Sequence, residues 1–247
     1  MFPVVTMTIT WILVVARLII AVQLTRVARR QKLPNLLWLA AFFYLTGIGD
    51  IFATLAPVTN FNQPFLVLGG VSELAMVMFI QKTFYQDRKS PFPIFMGLAL
   101  IVLAADILYA EFLPYHSPFN WLWLIWAGYQ AYRRIADDQA VDDWIKARYK
   151  LVIAYSGLSL VAPLWTILFL IAMVVPAVAA FIYAPTNILI AQVGILAFVT
   201  AGIVLQYLAW IMPEKYREWL NRNYQPPAKE AAEADLTEEE IMRQLTA

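Results

Sequence analysis

Residues 36–57, LLWLAAFFYLTGIGDIFATLAP, form an apolar run in which Asp50 is the single charged residue. About 20 apolar residues are enough for a helix to cross the hydrocarbon layer of a membrane. A charged side chain at that depth costs roughly 2.5–3.5 kcal/mol. The stretch therefore predicts a transmembrane helix, with Asp50 turned toward other helices and away from lipid.

The rest of the chain has the same character. It has 247 residues, of which 62% are hydrophobic and 14% are charged, whereas a soluble domain is about 25% charged. Its mean hydropathy is +0.65. No basic region precedes the first apolar run, which therefore indicates a retained helix and not a signal peptide. We predict an all-α, multi-pass bundle of seven transmembrane helices in the cell membrane, surrounded by the lipid bilayer, with spans near 3–25, 36–57, 64–82, 93–113, 118–136, 150–175 and 186–212.

The basic residues predict how this bundle is oriented. Every Lys and Arg except Arg17 falls after the first, third or fifth predicted span, or after the last. The loops on the opposite side contain none. Because basic residues collect on the cytoplasmic side of membrane proteins, we predict that the N-terminus is outside and the C-terminus is cytoplasmic.

The chain divides into a transmembrane domain (1–212), a juxtamembrane interfacial helix (213–225) and a cytoplasmic helical tail (226–247). In the interfacial helix we expect Tyr216, Trp219 and Leu220 to face lipid, with Lys215, Arg217 and Arg222 among the headgroups.

The tail ends in DLTEEEIMRQLTA, where Thr237 and Glu240 make a capping box that predicts a helix start. A helix this short is marginal alone in water. We predict that it docks on a protein partner, on a second copy or on the loops of its own chain; the alternative is a frayed tail without function. The docking residues would be the apolar patch Leu236, Ile241, Met242 and Leu245.

Four charged residues lie more than three residues from either end of a predicted span: Arg17, Asp50, Glu73 and Asp106. Counting 1.5 Å per residue from the nearest outer proline places the three carboxylates about 10–13 Å below the outer end, in one layer. Gln192, Trp126 and Trp165 fall near the same level. Arg17 comes out deeper, about 21 Å from the outer end.

Two interpretations of this layer stay open. In the first, these side chains line a cavity in the outer half of the bundle that holds a cationic ligand, a metal cation or a transferable proton. In the second, they join helices: Arg17 pairs with Glu73, and Asp50 bonds to threonines or to a tyrosine. Arg17 could also extend along its helix to the cytoplasmic face.

Pro163 lies in the middle of the sixth predicted span and removes a backbone donor there. It shares a helix face with Tyr155 and Ser159. The pattern indicates either a hinge between the outer cavity and the cytoplasmic side or a static kink.

Composition excludes several classes of protein. The chain has no cysteine and one histidine, His116, which argues against metal sites, Cys-based clusters and bis-histidine haem. All lysines fall on the predicted cytoplasmic side, which argues against a retinal Schiff base. No nucleophile–His–acid set lies within the spans, and a net charge of +1 gives no indication of nucleic acid binding. We therefore predict no cofactor, no metal and no enzymatic activity.

Three functions remain. The first is a receptor-like or regulatory protein that senses a small or membrane-borne ligand, or protons, and signals to a separate partner through its cytoplasmic loops and tail. The second is a small proton- or cation-coupled transporter. The third is an accessory or anchoring subunit of a membrane complex.

Overall fold

The computed structural model of the protein describes residues 2–59, 63–85, 89–108, 118–138, 141–161, 164, 168, 171, 172, 174–182 and 184–222. These residues are helical or lie in turns, and none of them belongs to a β-strand. The predicted all-α class is therefore confirmed for this part of the chain. The described helices are α1 (Phe2–Arg30), α2 (Asn35–Thr59), α3 (Gln63–Ile80), α4 (Phe92–Leu108), α5 (Pro118–Ile135), α6 (Asp143–Ser159), α7 (Pro176–Ile182), α8 (Pro185–Trp210) and α9 (Glu214–Asn221).

Three segments within the described residues are long and apolar enough to cross a membrane: Thr10–Arg30, Asn35–Phe52 and Val67–Tyr85. A shorter apolar helix covers Phe92–Ala104. Helices suit such a setting because their backbone groups bond internally and need no water. The fold thus has helices typical of a membrane protein.

Helix boundaries differ from those that hydropathy predicts. α1 continues past residue 25 to Arg30, because its basic last turn is helical without being apolar. Two residues after this helix end, Lys32 has the left-handed φ of 54°, and the Leu33 N–H donates to the Ala28 carbonyl at 3.0 Å, which closes the helix terminus. Pro176–Ile182 form a short helix where the sequence predicts an outer loop.

The helix contacts close into a ring. α1 packs on α2, α2 on α3, α3 on α5, α5 on α6 and α6 on α8, and α8 returns to α1. α4 lies against α3 and, less extensively, against α5; α9 lies against α6. Side chains on the inner faces of these helices therefore meet residues from distant parts of the sequence.

A π-helical turn, Gln81–Tyr85, follows α3 directly. Such turns are rare and often occur at functional sites. This turn contacts α5 as well as α3.

Aromatic side chains on the inner faces of α5, α6 and α8 contact one another. Tyr155 of α6 is fully buried, and its hydroxyl accepts a 2.9 Å hydrogen bond from Trp210 Nε1 of α8. Trp121 of α5 meets the Tyr155 ring edge-on, with centroids 6.4 Å apart. This contact set gives α6 a fixed position relative to both neighbours.

Candidate functional site

Arg17 and Asp50 form an ion pair between α1 and α2, through Arg17 Nη1 and Asp50 Oδ2. Their side chains are 16% and 19% exposed, respectively. Thr54 Oγ1 donates to the Asp50 carbonyl at 2.7 Å. The charge of Asp50 is thus matched by a neighbouring helix, and Arg17 pairs with Asp50 where the sequence suggested Glu73.

The predicted difference in depth between these two residues is wrong. Pro57 does not end α2, which continues to Thr59. Measured from the short connection between α1 and α2, Arg17 lies about 20 Å along α1 and Asp50 about 22 Å along α2. The two residues therefore share a level. The close approach at Gly47, where an added Cβ would lie 3.5 Å from Arg17 Cβ, agrees with this register.

Glu73 of α3 is 1% exposed and meets Asn120, the third residue of α5, which is equally buried. Asn120 Nδ2 donates to Glu73 Oε2 at 2.5 Å and to the Glu73 carbonyl at 3.3 Å. The sequence analysis did not single out Asn120. The signal was an amide inside the apolar span 118–136, which in a membrane is costly unless it has a partner.

The two contacts have different chemistry. Arg17 and Asp50 carry opposite charges and attract each other, whereas Asn120 is neutral. An amide can donate through its nitrogen to a carboxylate, or accept through its oxygen from a carboxylic acid. The Glu73–Asn120 contact can therefore be satisfied with the glutamate in either charge state.

Glu73 and Asp106 do not share a level, contrary to the prediction from sequence. α3 and α4 run antiparallel and meet where a Cβ added to Gly70 would lie 3.0 Å from the Leu103 Cα. Glu73 lies three residues from this point in one direction and Asp106 three residues in the other. At 1.5 Å per residue, the two backbone positions are about 9 Å apart along the helix axes.

Trp126 also lies apart from the predicted outer layer. Its side chain is 56% exposed and borders a cavity of about 190 Å³ at the predicted cytoplasmic side. The cavity lies between the π-helical turn, α5 and the start of α6. Its polar and aromatic lining consists of Thr83, Phe84, Tyr85, Trp126, Gln130, Arg134 and Tyr149.

The remaining candidates fall outside the described structure. Asp106 and Gln192 lie on α4 and α8, but their side chains are outside the described part. Trp165, Pro163 and the tail residues Leu236, Ile241, Met242 and Leu245 lie outside it altogether. Of the face predicted around Pro163, Ser159 is described, and its Oγ donates to the Tyr155 carbonyl at 2.8 Å.

At the predicted cytoplasmic end, α9 is fixed to the start of α6. Asn221 Oδ1 accepts from the Trp144 backbone N–H at 3.2 Å, and Asn221 Nδ2 donates to Asp142 at 3.3 Å. The Arg217 and Arg148 guanidinium groups lie 4.7 and 4.8 Å from the Trp144 ring centroid.

The side chains of α9 make contacts that the sequence did not predict. Tyr216 and Leu220 are partly buried and pack against the core. Trp219 is exposed. The Arg217 guanidinium lies against the Trp144 ring. Their arrangement relative to lipid and headgroups stays a prediction.

Within the described residues, no group of three or more His, Asp or Glu side chains is arranged to hold a metal ion. The sequence matches no protein-family model, and no curated protein or solved structure matches it either.

Proposed function

We propose that this chain is a receptor-like or regulatory membrane protein of seven spans with its N-terminus outside, in which Glu73 is the responsive group. The observation that supports it is the contact between a buried glutamate and a neutral amide from another helix. A proton that reaches Glu73 removes its charge and lets the carboxylic acid donate to the Asn120 amide oxygen, whereas a small cation or a polar ligand competes with the Asn120 amide for the carboxylate. A separate partner at the cytoplasmic side receives the change.

The chemistry of the pair favours this role over a structural one. A buried charge is normally paired with an opposite charge, because desolvation costs several kcal/mol. Arg17 provides such a charge to Asp50 through an ion pair between α1 and α2, while the contact of Glu73 with α5 is made by a neutral amide. We therefore infer that Glu73 responds more readily than Asp50 to an added cation or proton.

The packing offers a route from Glu73 to the cytoplasmic side. Asn120 stands at the start of α5, and Arg134 stands near its end, about 21 Å further along a rigid helix. Halfway along, Gly128 lets α5 approach Val152 of α6 closely. α6 in turn holds α9 through Trp144 and Asp142. A shift of α5 would thus reach the segment that leads to the tail.

The pH dependence of stability tests the role of Glu73. Full-length protein in mild detergent is melted across a range of pH, beside Glu73→Gln and Asp50→Asn. We expect the melting temperature of the wild type to depend on pH more strongly than that of Glu73→Gln. Asp50→Asn should lower the melting temperature yet keep the pH dependence, since Glu73 remains. Identical pH profiles for all three proteins would contradict the proposal.

A second experiment tests whether a partner receives the signal through the tail. Full-length protein, a version ending at Gln225 and an Ile241→Asp variant are extracted from native membranes in mild detergent. A protein that copurifies with the full chain, but with neither altered version, supports docking through the apolar patch. Equal recovery with all three places the partner elsewhere.

Proton flux into liposomes separates the receptor from a transporter. If wild-type protein carries protons down a gradient and Glu73→Gln does not, the transporter replaces the receptor. If neither protein carries protons, the pH-dependent change is a signal and not a transport step.

A further inference from the structure

The cavity beside the π-helical turn has the electrostatics of an anion site. Arg134 contributes a guanidinium with five N–H donors. None of the described residues that line the cavity is acidic. Within the described lining, an anion would meet a cation and several neutral donors, and no carboxylate.

The neutral lining groups are donors as well. Trp123 Nε1 donates to the Tyr85 hydroxyl at 3.2 Å, which leaves the proton of that hydroxyl to be donated elsewhere. Burial raises the pKa of Tyr149 to about 12, although the nearby Arg148 and Arg134 charges oppose that effect. The Tyr149 hydroxyl therefore keeps its proton at physiological pH.

The size and shape of the cavity favour a headgroup. Its volume of about 190 Å³ is below the ~300–1,000 Å³ of pockets for drug-sized ligands. Along α5 it runs from Arg134 to Trp126, about 12 Å. The polar end lies at the predicted cytoplasmic interface. At the other end, the exposed rings of Trp126 and Tyr129 lie 6.4 Å apart.

This gradient from a cation to exposed aromatic rings matches the gradient along a phospholipid. Guanidinium groups bind phosphate oxygens in a bidentate manner. Basic pockets between transmembrane helices on the cytoplasmic side suit anionic lipid headgroups. Aromatic side chains at the membrane interface suit the glycerol and upper acyl region.

We propose that the cavity binds the phosphate group of an anionic phospholipid from the predicted cytoplasmic leaflet. The phosphate lies against Arg134, and the glycerol and acyl stem run along α5 over Trp126. This inference does not depend on the role of Glu73. A free phosphate ion shares the chemistry at Arg134 but does not use Trp126.

Lipid binding to delipidated full-length protein in mild detergent tests the proposal. Phosphatidylglycerol, phosphatidylcholine and inorganic phosphate are titrated separately, and the melting shift gives each affinity. We expect tighter binding of phosphatidylglycerol than of phosphatidylcholine. Arg134→Gln should weaken phosphatidylglycerol binding about fivefold, the equivalent of about 1 kcal/mol per basic residue near the membrane surface.

Arg133→Gln is the matched control, because Arg133 is exposed like Arg134 and stands next to it on the same helix, but does not line the cavity. It should leave the affinity unchanged. Arg134→Lys keeps the positive charge but loses the bidentate geometry of the guanidinium, so its affinity should lie between those of the wild type and Arg134→Gln. This second variant keeps the test valid if Arg134→Gln does not fold. Trp126→Ala should weaken phosphatidylglycerol but not inorganic phosphate.

Three results would overturn the lipid assignment. Equal binding of phosphatidylglycerol and phosphatidylcholine would exclude recognition of an anionic lipid. Equal losses in the Arg133 and Arg134 variants would mean that surface charge, and not the cavity, attracts the lipid. Inorganic phosphate that binds as tightly as phosphatidylglycerol, with no effect of Trp126→Ala on either, would assign the cavity to a soluble phosphate.

Discussion

The Arg17–Asp50 and Glu73–Asn120 pairs each join two helices of the bundle, yet their polar groups are satisfied in opposite ways. Arg17 and Asp50 cancel each other's charge, and both remain partly accessible. Glu73 and Asn120 are almost fully buried and contribute one ionisable group between them. The first pair depends on attraction between charges, and the second on a hydrogen bond that either charge state of Glu73 can make.

This difference indicates which pair is suited to a change of state. The ion pair joins a charge on α1 to an opposite charge on α2, so losing either one leaves the other without this partner. The Glu73–Asn120 contact joins a carboxyl group to a neutral amide, which can donate or accept a hydrogen bond. The proposed responsive role therefore falls on α3 and α5, and the proposed structural role on α1 and α2 at this level.

The largest expected effect comes from breaking the ion pair on one side. Arg17→Leu leaves Asp50 at membrane depth without its counter-charge, and we expect a loss of about 3 kcal/mol in the free energy of unfolding. Denaturant titration in mild detergent measures the loss.

The double variant Arg17→Leu/Asp50→Leu supplies the control. Since it removes both charges, it should recover most of the stability lost in the single variant. If the double variant is as unstable as the sum of the two single variants, the ion pair does not couple α1 to α2.

Removing the amide of the second pair should cost less. Asn120→Ala deprives Glu73 of its hydrogen bonds from α5, and we expect a loss of about 2 kcal/mol, within the range for a buried polar group without its partner. Denaturant titration in mild detergent measures this loss beside that of Arg17→Leu.

Asn187→Ala is the matched control for the same measurement. Asn187 also donates to a backbone carbonyl, that of Phe181 at 2.7 Å, but that hydrogen bond is exposed. An exposed bond contributes little, so stability should hardly change. A loss equal to that of Asn120→Ala would mean that burial of the Glu73 contact is not important.

The sequence predicts the class of the fold, and it singles out Asp50 and Glu73, but it does not predict the partners of these two carboxylates correctly. Long apolar runs without alternation of polar and apolar residues are local properties of the sequence, and they indicate membrane helices directly. The partner of a buried charge depends on register between helices, which no single run contains. Arg17 was suggested for Glu73 because both are charged, whereas the antiparallel packing of α1 on α2 brings it to Asp50.

The depth count fails for a related reason. It takes prolines as helix ends at one common level. α2 continues two residues past Pro57 to Thr59, which moves Asp50 by about 3 Å. The larger part of the error comes from α1, whose 29 residues begin at Phe2 and make it longer than a single span, so Pro3 does not mark the level of Pro57. Asn120 and the cavity at Arg134 were missed because each arises from two or more helices.

Substitution of Gly70, near Glu73, and of Gly47, near Asp50, tests how closely the helices pack beside each pair. An added Cβ at Gly70 would lie 2.6 Å from Leu103 Cδ1 and 3.0 Å from the Leu103 Cα, which cannot move without the helix. At Gly47 it would lie 3.1 Å from Leu18 Cδ2, the end of a flexible side chain. We expect Gly70→Ala to lower stability by about 1–2 kcal/mol and Gly47→Ala to lower it by less.

Gly97→Ala serves as the control for both glycine variants, because nothing lies within 4 Å of a Cβ added there. Alanine favours the helix over glycine, so this variant should show no loss. If Gly47→Ala proves the more damaging of the two, α1 and α2 are packed more rigidly than α3 and α4, contrary to the geometry.

The smallest effect concerns pH, outside both pairs. Burial raises the pKa of Tyr149 from 10.0 to about 12, against opposing effects of Arg148 and Arg134. The folded protein therefore keeps the Tyr149 proton at a pH where the unfolded chain loses it. This contribution to stability is complete below the unfolded pKa and is lost as pH rises through the folded one. One pH unit above 10.0, the loss should be about 1 kcal/mol.

Tyr149→Phe should abolish this alkaline loss in detergent melting experiments, while Tyr129→Phe, at an exposed ring, should retain it. An alkaline loss that survives Tyr149→Phe would have to come from another buried group, and the hydroxyl proton invoked at the cavity would lose its support.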